Sequence, residues 1–128
     1  MIVDASVVID FFLEEEPVST EFAKLLIEEE SHIILHQLAE ICDYSVRAKR
    51  PAATLLEYSL KLCKRASIED DDLVSAAKLK WEQREAGKKR FSLADALLLS
   101  VGRRLGETVV TKDAEFIGIE GVTVLGHS

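Results

Sequence analysis

Apolar positions along the chain follow two alternating rhythms. Short runs such as Ile2-Val3, His32-Ile33-Ile34-Leu35, Val109-Val110 and Val122-Thr123-Val124 have the length and β-branched character of strands, while the stretches between them repeat at helical spacing. Met1 to Asp4 predicts a strand. Ser6 then introduces a dense apolar helix through Val7, Val8, Ile9, Phe11, Phe12 and Leu13. Pro17, tolerated in a first helical turn, opens a second helix whose Val18, Phe22, Leu25 and Leu26 share one face. His32 to Leu35 predicts a strand, and a helix follows from about His36 to Lys49, halted by Pro51. The next helix spans about Ala52 to Arg65 with Leu55, Leu56, Leu60 and Cys63 inward, and Ala66-Ser67-Ile68 predicts a short strand. Asp70 or Asp71 can cap a helix that turns Leu73, Ala76, Ala77 and Trp81 inward and closes near Gly87. Ser92, with Asp95 three residues on, has the spacing of a capping box for a helix ending near Gly106. Strands over 107–111 and 121–125 complete the pattern.

Strands alternating with helices predict an α/β fold: a central parallel sheet of four to five strands, flanked by helices on both faces. In such sheets ligands bind beyond the carboxyl ends of the strands. The 128 residues suit one domain, and an apolar share of 48% is enough to fill its core. No apolar run approaches the roughly 18 residues of a membrane span. The start Met1-Ile2-Val3-Asp4 lacks the basic region of a secretory signal, so the expected location is the cytoplasm, with no membrane partner. Cys42 and Cys63 are too far apart for a CxxC motif and are expected to be free thiols.

Acidic residues mark the strand ends. Ile2-Val3 runs into Asp4, and Val109-Val110-Thr111 leads to Asp113. On neighbouring parallel strands both carboxylates lie at one sheet edge. Asp95 stands in the first turn of the helix before one of those strands, Glu40 in the first turns of the helix after the second strand, and Glu115 two residues past Asp113. Taken singly, each has an ordinary reading as a helix cap or a solvated side chain. Taken together they are costly, because two carboxylates ~4 Å apart repel by roughly 4 kcal/mol at an effective dielectric of 20. A divalent cation relieves that repulsion, and hard oxygen donors suit Mg²⁺ or Mn²⁺.

Four blocks, MIVDASVVIDFF, HQLAEIC, FSLADALLLS and VVTKDAEF, resemble the PIN-domain ribonucleases in order and spacing over nearly the whole chain, 1–128. The resemblance implies a three-layer PIN-like fold and a metal-dependent endoribonuclease with one or two Mg²⁺ or Mn²⁺ ions. It assigns the metal site to the acids Asp4, Glu40, Asp95 and Asp113, assisted by Glu115, with Ser6 and Thr111 supporting them through hydrogen bonds. A compact chain of this kind is similar to the toxin of VapBC-type toxin–antitoxin pairs, which implies a homodimer held silent by an antitoxin peptide. Many members carry Pro near the position of His36 or Gln37, and this chain does not.

The formal charge of −7 argues against a polyanionic partner, but the five candidate ligands account for most of it. Basic residues also cluster. Arg47, Lys49 and Arg50 continue the Glu40 helix, and Lys88, Lys89 and Arg90 approach the Asp95 helix, so these two groups are the better candidates for RNA phosphates. His32 and His36 straddle a strand-to-helix boundary and do not form a zinc motif. Haloacid-dehalogenase-type phosphoryl transfer would want an acid two residues after Asp4, where Ser6 stands. A housekeeping RNA-processing nuclease and a non-catalytic, partner-binding domain are the alternatives to a toxin.

Overall fold

The computed structural model describes residues 1–127. Its elements are β1 (Ile2–Val3), α1 (Ala5–Phe12), α2 (Val18–Glu28), β2 (His32–Ile34), α3 (Leu35–Arg47), α4 (Ala52–Leu62), β3 (Lys64–Ala66), α5 (Asp70–Glu85), α6 (Leu93–Leu105), β4 (Val109–Thr111), a 3₁₀ turn (Ala114–Phe116) and β5 (Val122–Val124). The five strands form one parallel sheet in the order β3-β2-β1-β4-β5. The expected α/β architecture is therefore present, with β1 at its centre. Among the described residues no helix is long and apolar enough to cross a membrane.

Successive residues of a strand point to opposite faces, which is why each short apolar run feeds two cores. Val3, Ile33 and Val110 pack with Val7, Phe22, Ile41 and Leu55 on the side of α1 to α4. Ile2, Ile34 and Val109 pack with Phe91, Leu98, Leu99 and Phe116 on the side of α5 and α6. Each core holds an edge-on aromatic pair, Phe11–Phe22 with centroids 5.2 Å apart and Phe91–Phe116 at 5.3 Å. Helix α6 lies close on the sheet because Gly102 has no side chain: a Cβ there would come within 2.8 Å of Val109 Cγ2 and 3.1 Å of Ile2 Cγ2.

Three expectations change. The third strand lies at 64–66, not 66–68. Its Lys64 and Arg65 are exposed on the sheet edge, where charge protects an open strand but hides it from a search for apolar runs. Helix α5 is capped at Glu69 rather than Asp70 or Asp71, with the Glu69 N–H donating to Asp72 Oδ2 at 2.8 Å. That same helix is rotated from the expected face: Ala76 is buried as expected, with Asp72 beside it, but Trp81 is 58% exposed and Leu73 54%. The buried carboxylate of Asp72 accepts from Arg104 Nε at 3.0 Å and from Ser100 Oγ at 3.3 Å, and Arg104 also donates to the Ser67 carbonyl. A satisfied polar contact thus helps fix α5 on α6, beside the apolar contacts of Ala76 and Leu79. Cys42 is half-buried and Cys63 buried, both as free thiols.

Substituting Gly102→Ala forces α6 off the sheet. The expected cost is about 1–3 kcal/mol, measured as a lower midpoint of urea unfolding.

Candidate active site

Asp4 follows β1 directly and occupies the N-cap of α1 in an extended conformation, a position where a carboxylate normally accepts from the helix's free N–H groups. Its side chain makes no such bond. It accepts instead from Thr111 Oγ1 at 2.5 Å and from Ser6 Oγ at 3.1 Å. The helix end is served from elsewhere: the Ala5 N–H donates to Oε1 of buried Gln37 on α3, at 2.7 Å. Gln37 therefore takes the first free N–H of α1 and ties α3, which carries Glu40 one turn later, to the Asp4 turn.

Thr111, at the end of β4, is fully buried. Its hydroxyl donates to Asp4 and accepts from the Asp113 N–H at 3.1 Å, so one side chain sets two acids. Asp113 caps the 3₁₀ turn, taking the Glu115 N–H on Oδ1 at 2.9 Å. Asp95 completes the expected capping box: its N–H donates to Ser92 Oγ at 3.1 Å and its Oδ2 accepts from the Ser92 N–H at 3.0 Å. Capping and facing the crevice are thus compatible for this acid. Glu40 is half-exposed, with Oε1 3.0 Å from His36 Nε2.

Asp4, Glu40, Asp95 and Asp113 line one open crevice at the carboxyl ends of β1 and β4, together with Ser6, Arg47 and Arg90. Glu115, Lys49, Arg50, Lys88 and Lys89 do not line it; Lys88 Nζ is turned to the Ile117 carbonyl at 2.7 Å. Among the lining residues, Asp43, Lys112 and His127 were not expected from the sequence. Asp43 and Arg47 lie three and seven residues beyond Glu40, on the same face of α3, a helical spacing that could have flagged Asp43. Lys112 pairs with Asp10 at 2.9 Å, and His127 Nε2 lies 2.9 Å from the Lys112 carbonyl. Both are long-range placements with no local sequence signal.

Burial pushes the Asp4 carboxyl above the usual carboxylate range, against the pull of the Thr111 and Ser6 hydroxyls; the charge of Glu40 adds to the rise. Asp95 is raised as well, by burial first, with the charges of Asp113 and Asp4 contributing. The acids thus sense one another. Among the described residues, however, no three of His, Cys, Asp and Glu converge on one point as a ready-made cage. Four separate oxygen donors on the walls of an open crevice fit a hydrated ion such as Mg²⁺, which keeps several waters and takes only one or two carboxylates directly.

Residues 1–122 match the family model described as PIN domain. The chain belongs to the PIN-domain family. Compared by sequence with curated proteins, this PIN domain finds no match. In three dimensions it is similar to a chain of a toxin–antitoxin complex from Klebsiella pneumoniae, with 19% identity and a TM-score of 0.75 over 96% of this chain and 95% of that one. It is also similar to a chain of the VapBC2 complex from Rickettsia felis bound to a promoter DNA fragment, with 15% identity and a TM-score of 0.74 over 96% and 95% of the two chains. A third similar structure, DNA-bound VapBC from Salmonella typhimurium, has 15% identity and a TM-score of 0.72 over 96% and 94%. At such identities these likenesses establish the fold of the PIN domain.

A carboxyl group whose pKa is raised by folding stabilises the protein while it is protonated, and that stability is lost as pH rises through the folded value. In the metal-free PIN domain, Asp4 and Asp95 are each expected to contribute stability that is lost as pH climbs from about 4 through their raised folded values. Asp95→Asn flattens that slope, as read by urea unfolding across the range. Gln37→Met keeps the volume but strands the Ala5 N–H, and is expected to cost about 1–3 kcal/mol in the same assay.

Proposed function

We propose that this PIN domain is a divalent-metal-dependent endoribonuclease, the toxin of a VapBC-type pair, working in the cytoplasm as a homodimer restrained by an antitoxin protein. The observation that carries this reading is the gathering of Asp4, Glu40, Asp95 and Asp113 from four distant segments into one crevice, with Arg47 and Arg90 on its walls. The antitoxin part is supported by the nature of the structural neighbours, which come from toxin–antitoxin complexes.

In this reading the four acids hold one or two Mg²⁺ or Mn²⁺ ions, with Glu115 assisting from the 3₁₀ turn. The chemistry such an ion supplies is a lowered pKa for water and neutralisation of charge on phosphate oxygens. Thr111 and Ser6 hold the Asp4 carboxylate in place, and Thr111 fixes Asp113 through its N–H. Arg47 and Arg90 offer planar guanidinium groups to the RNA phosphates on either side of the scissile bond. Lys49, Arg50, Lys88 and Lys89 extend the positive surface beyond the crevice. Hydrolysis joins a water oxygen to phosphorus, breaks one phosphorus–oxygen ester bond, and leaves the water's proton with solvent or the departing oxygen.

The test is cleavage of single-stranded RNA by the purified protein with Mg²⁺ or Mn²⁺. Activity is expected to vanish with EDTA and in Asp4→Asn, and to fall about 10–100-fold in Thr111→Val, which removes support rather than a ligand. A second readout is thermal: Mn²⁺ raises the melting temperature of the wild type but not of Asp4→Asn. RNA cleavage that persists in EDTA and in Asp4→Asn overturns the reading.

A further inference from the structure

The chain's single tryptophan stands on the exposed face of α5, 58% accessible, in the helix's last turns. Two cations attend its ring, Lys80 Nζ at 5.0 Å and Arg84 Cζ at 5.6 Å from the centroid. Arg84 does not swing freely, because its Nε donates to the Phe91 carbonyl at 2.9 Å. That carbonyl immediately precedes Ser92, the cap of the helix bearing Asp95. The neighbouring Arg90 is already on the crevice wall. From Lys78 to Arg90, six bases stand against two acids, in a chain whose net charge is −7.

A single exposed apolar side chain is ordinary, but this indole has two cations on its ring and lies beside further positive charge. Apolar residues also reach the surface on α5, at Leu73 and Val74, and taken alone would suit a protein partner. They lie on the acidic half of the helix, next to Asp70 and Asp71. The Trp81 end carries Lys78, Lys80 and Arg84 against Glu82 and Glu85, the turn after the helix adds Lys88, Lys89 and Arg90, and charge complementarity there selects a polyanion with flat, stackable groups. We infer that the C-terminal half of α5 is a landing track for single-stranded RNA, on which Trp81 stacks an unpaired base while Lys80, Arg84 and Arg90 lead the backbone to the crevice. Aromatic stacking beside cations is the common physical means of holding single strands without reading their sequence.

The inference rests on RNA being the substrate, so the experiment separates the two. Full-length Asp4→Asn protein, which holds RNA without cutting it, is titrated with a dye-labelled, unstructured RNA oligonucleotide. Anisotropy of the dye reports binding anywhere, and fluorescence of the lone tryptophan reports contact at Trp81. The expected result is tryptophan quenching that saturates in step with anisotropy. In the same background Trp81→Leu weakens binding roughly 5- to 100-fold, the worth of one stacked base, and Trp81→Phe restores most of it. On wild-type catalysis, Trp81→Leu raises KM for long RNA and leaves kcat for a trinucleotide unchanged. Circular dichroism and unfolding of the variant are expected to match wild type, since the side chain is outside the core.

Binding without quenching, with Trp81→Leu unchanged in affinity, overturns the track and leaves the nuclease reading standing. A Trp81→Leu variant that alters the sedimenting mass but not RNA affinity assigns the face to a protein contact and also overturns it. A wild-type protein that neither binds nor cuts RNA removes the nuclease reading itself.

Discussion

The carboxylate of Asp4 stands where two demands compete. Helix α1 needs an acceptor at its N-terminus, and the nearest one is the acid that ends β1. The structure meets the two separately: the Asp4 side chain accepts from the Thr111 and Ser6 hydroxyls, while Gln37 on another helix takes the Ala5 N–H, the first of the helix's free donors. The result is a carboxylate held at the centre of the sheet edge by two hydroxyls. It also binds α3 and β4 to the same turn, so the spacing of the other acids follows from how the first one is held.

Much of this arrangement follows from local pattern. A β-branched run that stops at an acid, repeated at Asp4 and Asp113, is enough to bring both to one edge of a parallel sheet, and the Ser92–Asp95 spacing gives the capping box directly. What the sequence hides is long-range or polar. Gln37 has no local signature, because its partner is 32 residues away. The absence of proline near that position marks the turn as unusual without revealing that an amide has taken a structural part there. Helix α5 misleads for a related reason: Leu73, Ala77 and Trp81 form the regular apolar spacing, yet the face that packs inward is built on Ala76 and the carboxylate of Asp72. An apolar stripe predicts burial only when no better-satisfied face competes with it.

Two kinds of support therefore coexist around the crevice. On one side, β1, β4 and α3 are joined by buried hydrogen bonds that fix carboxylates. On the other, α5 and α6 are joined through Asp72 and Arg104, and the loop between them through Arg84 and the Phe91 carbonyl. Burial raises Asp4 and Asp95 above ordinary carboxylates, against the pull of their hydrogen bonds, and favours a cation beside them. The second kind of support leaves positive charge on a rigid hairpin beside that cluster. Each layer thus brings both an acid and an arginine to the crevice, Glu40 with Arg47 from α3 and Asp95 with Arg90 from α6 and the loop before it.

The pairing of Asp4 with Thr111 joins residues 107 positions apart in the chain. During synthesis the first acid leaves the ribosome long before the hydroxyl that grips it has been made, and β1 waits as long for its neighbour β4. A partly translated molecule accordingly has neither a complete sheet nor an assembled crevice. Elongation itself therefore sets the earliest moment at which the crevice can assemble.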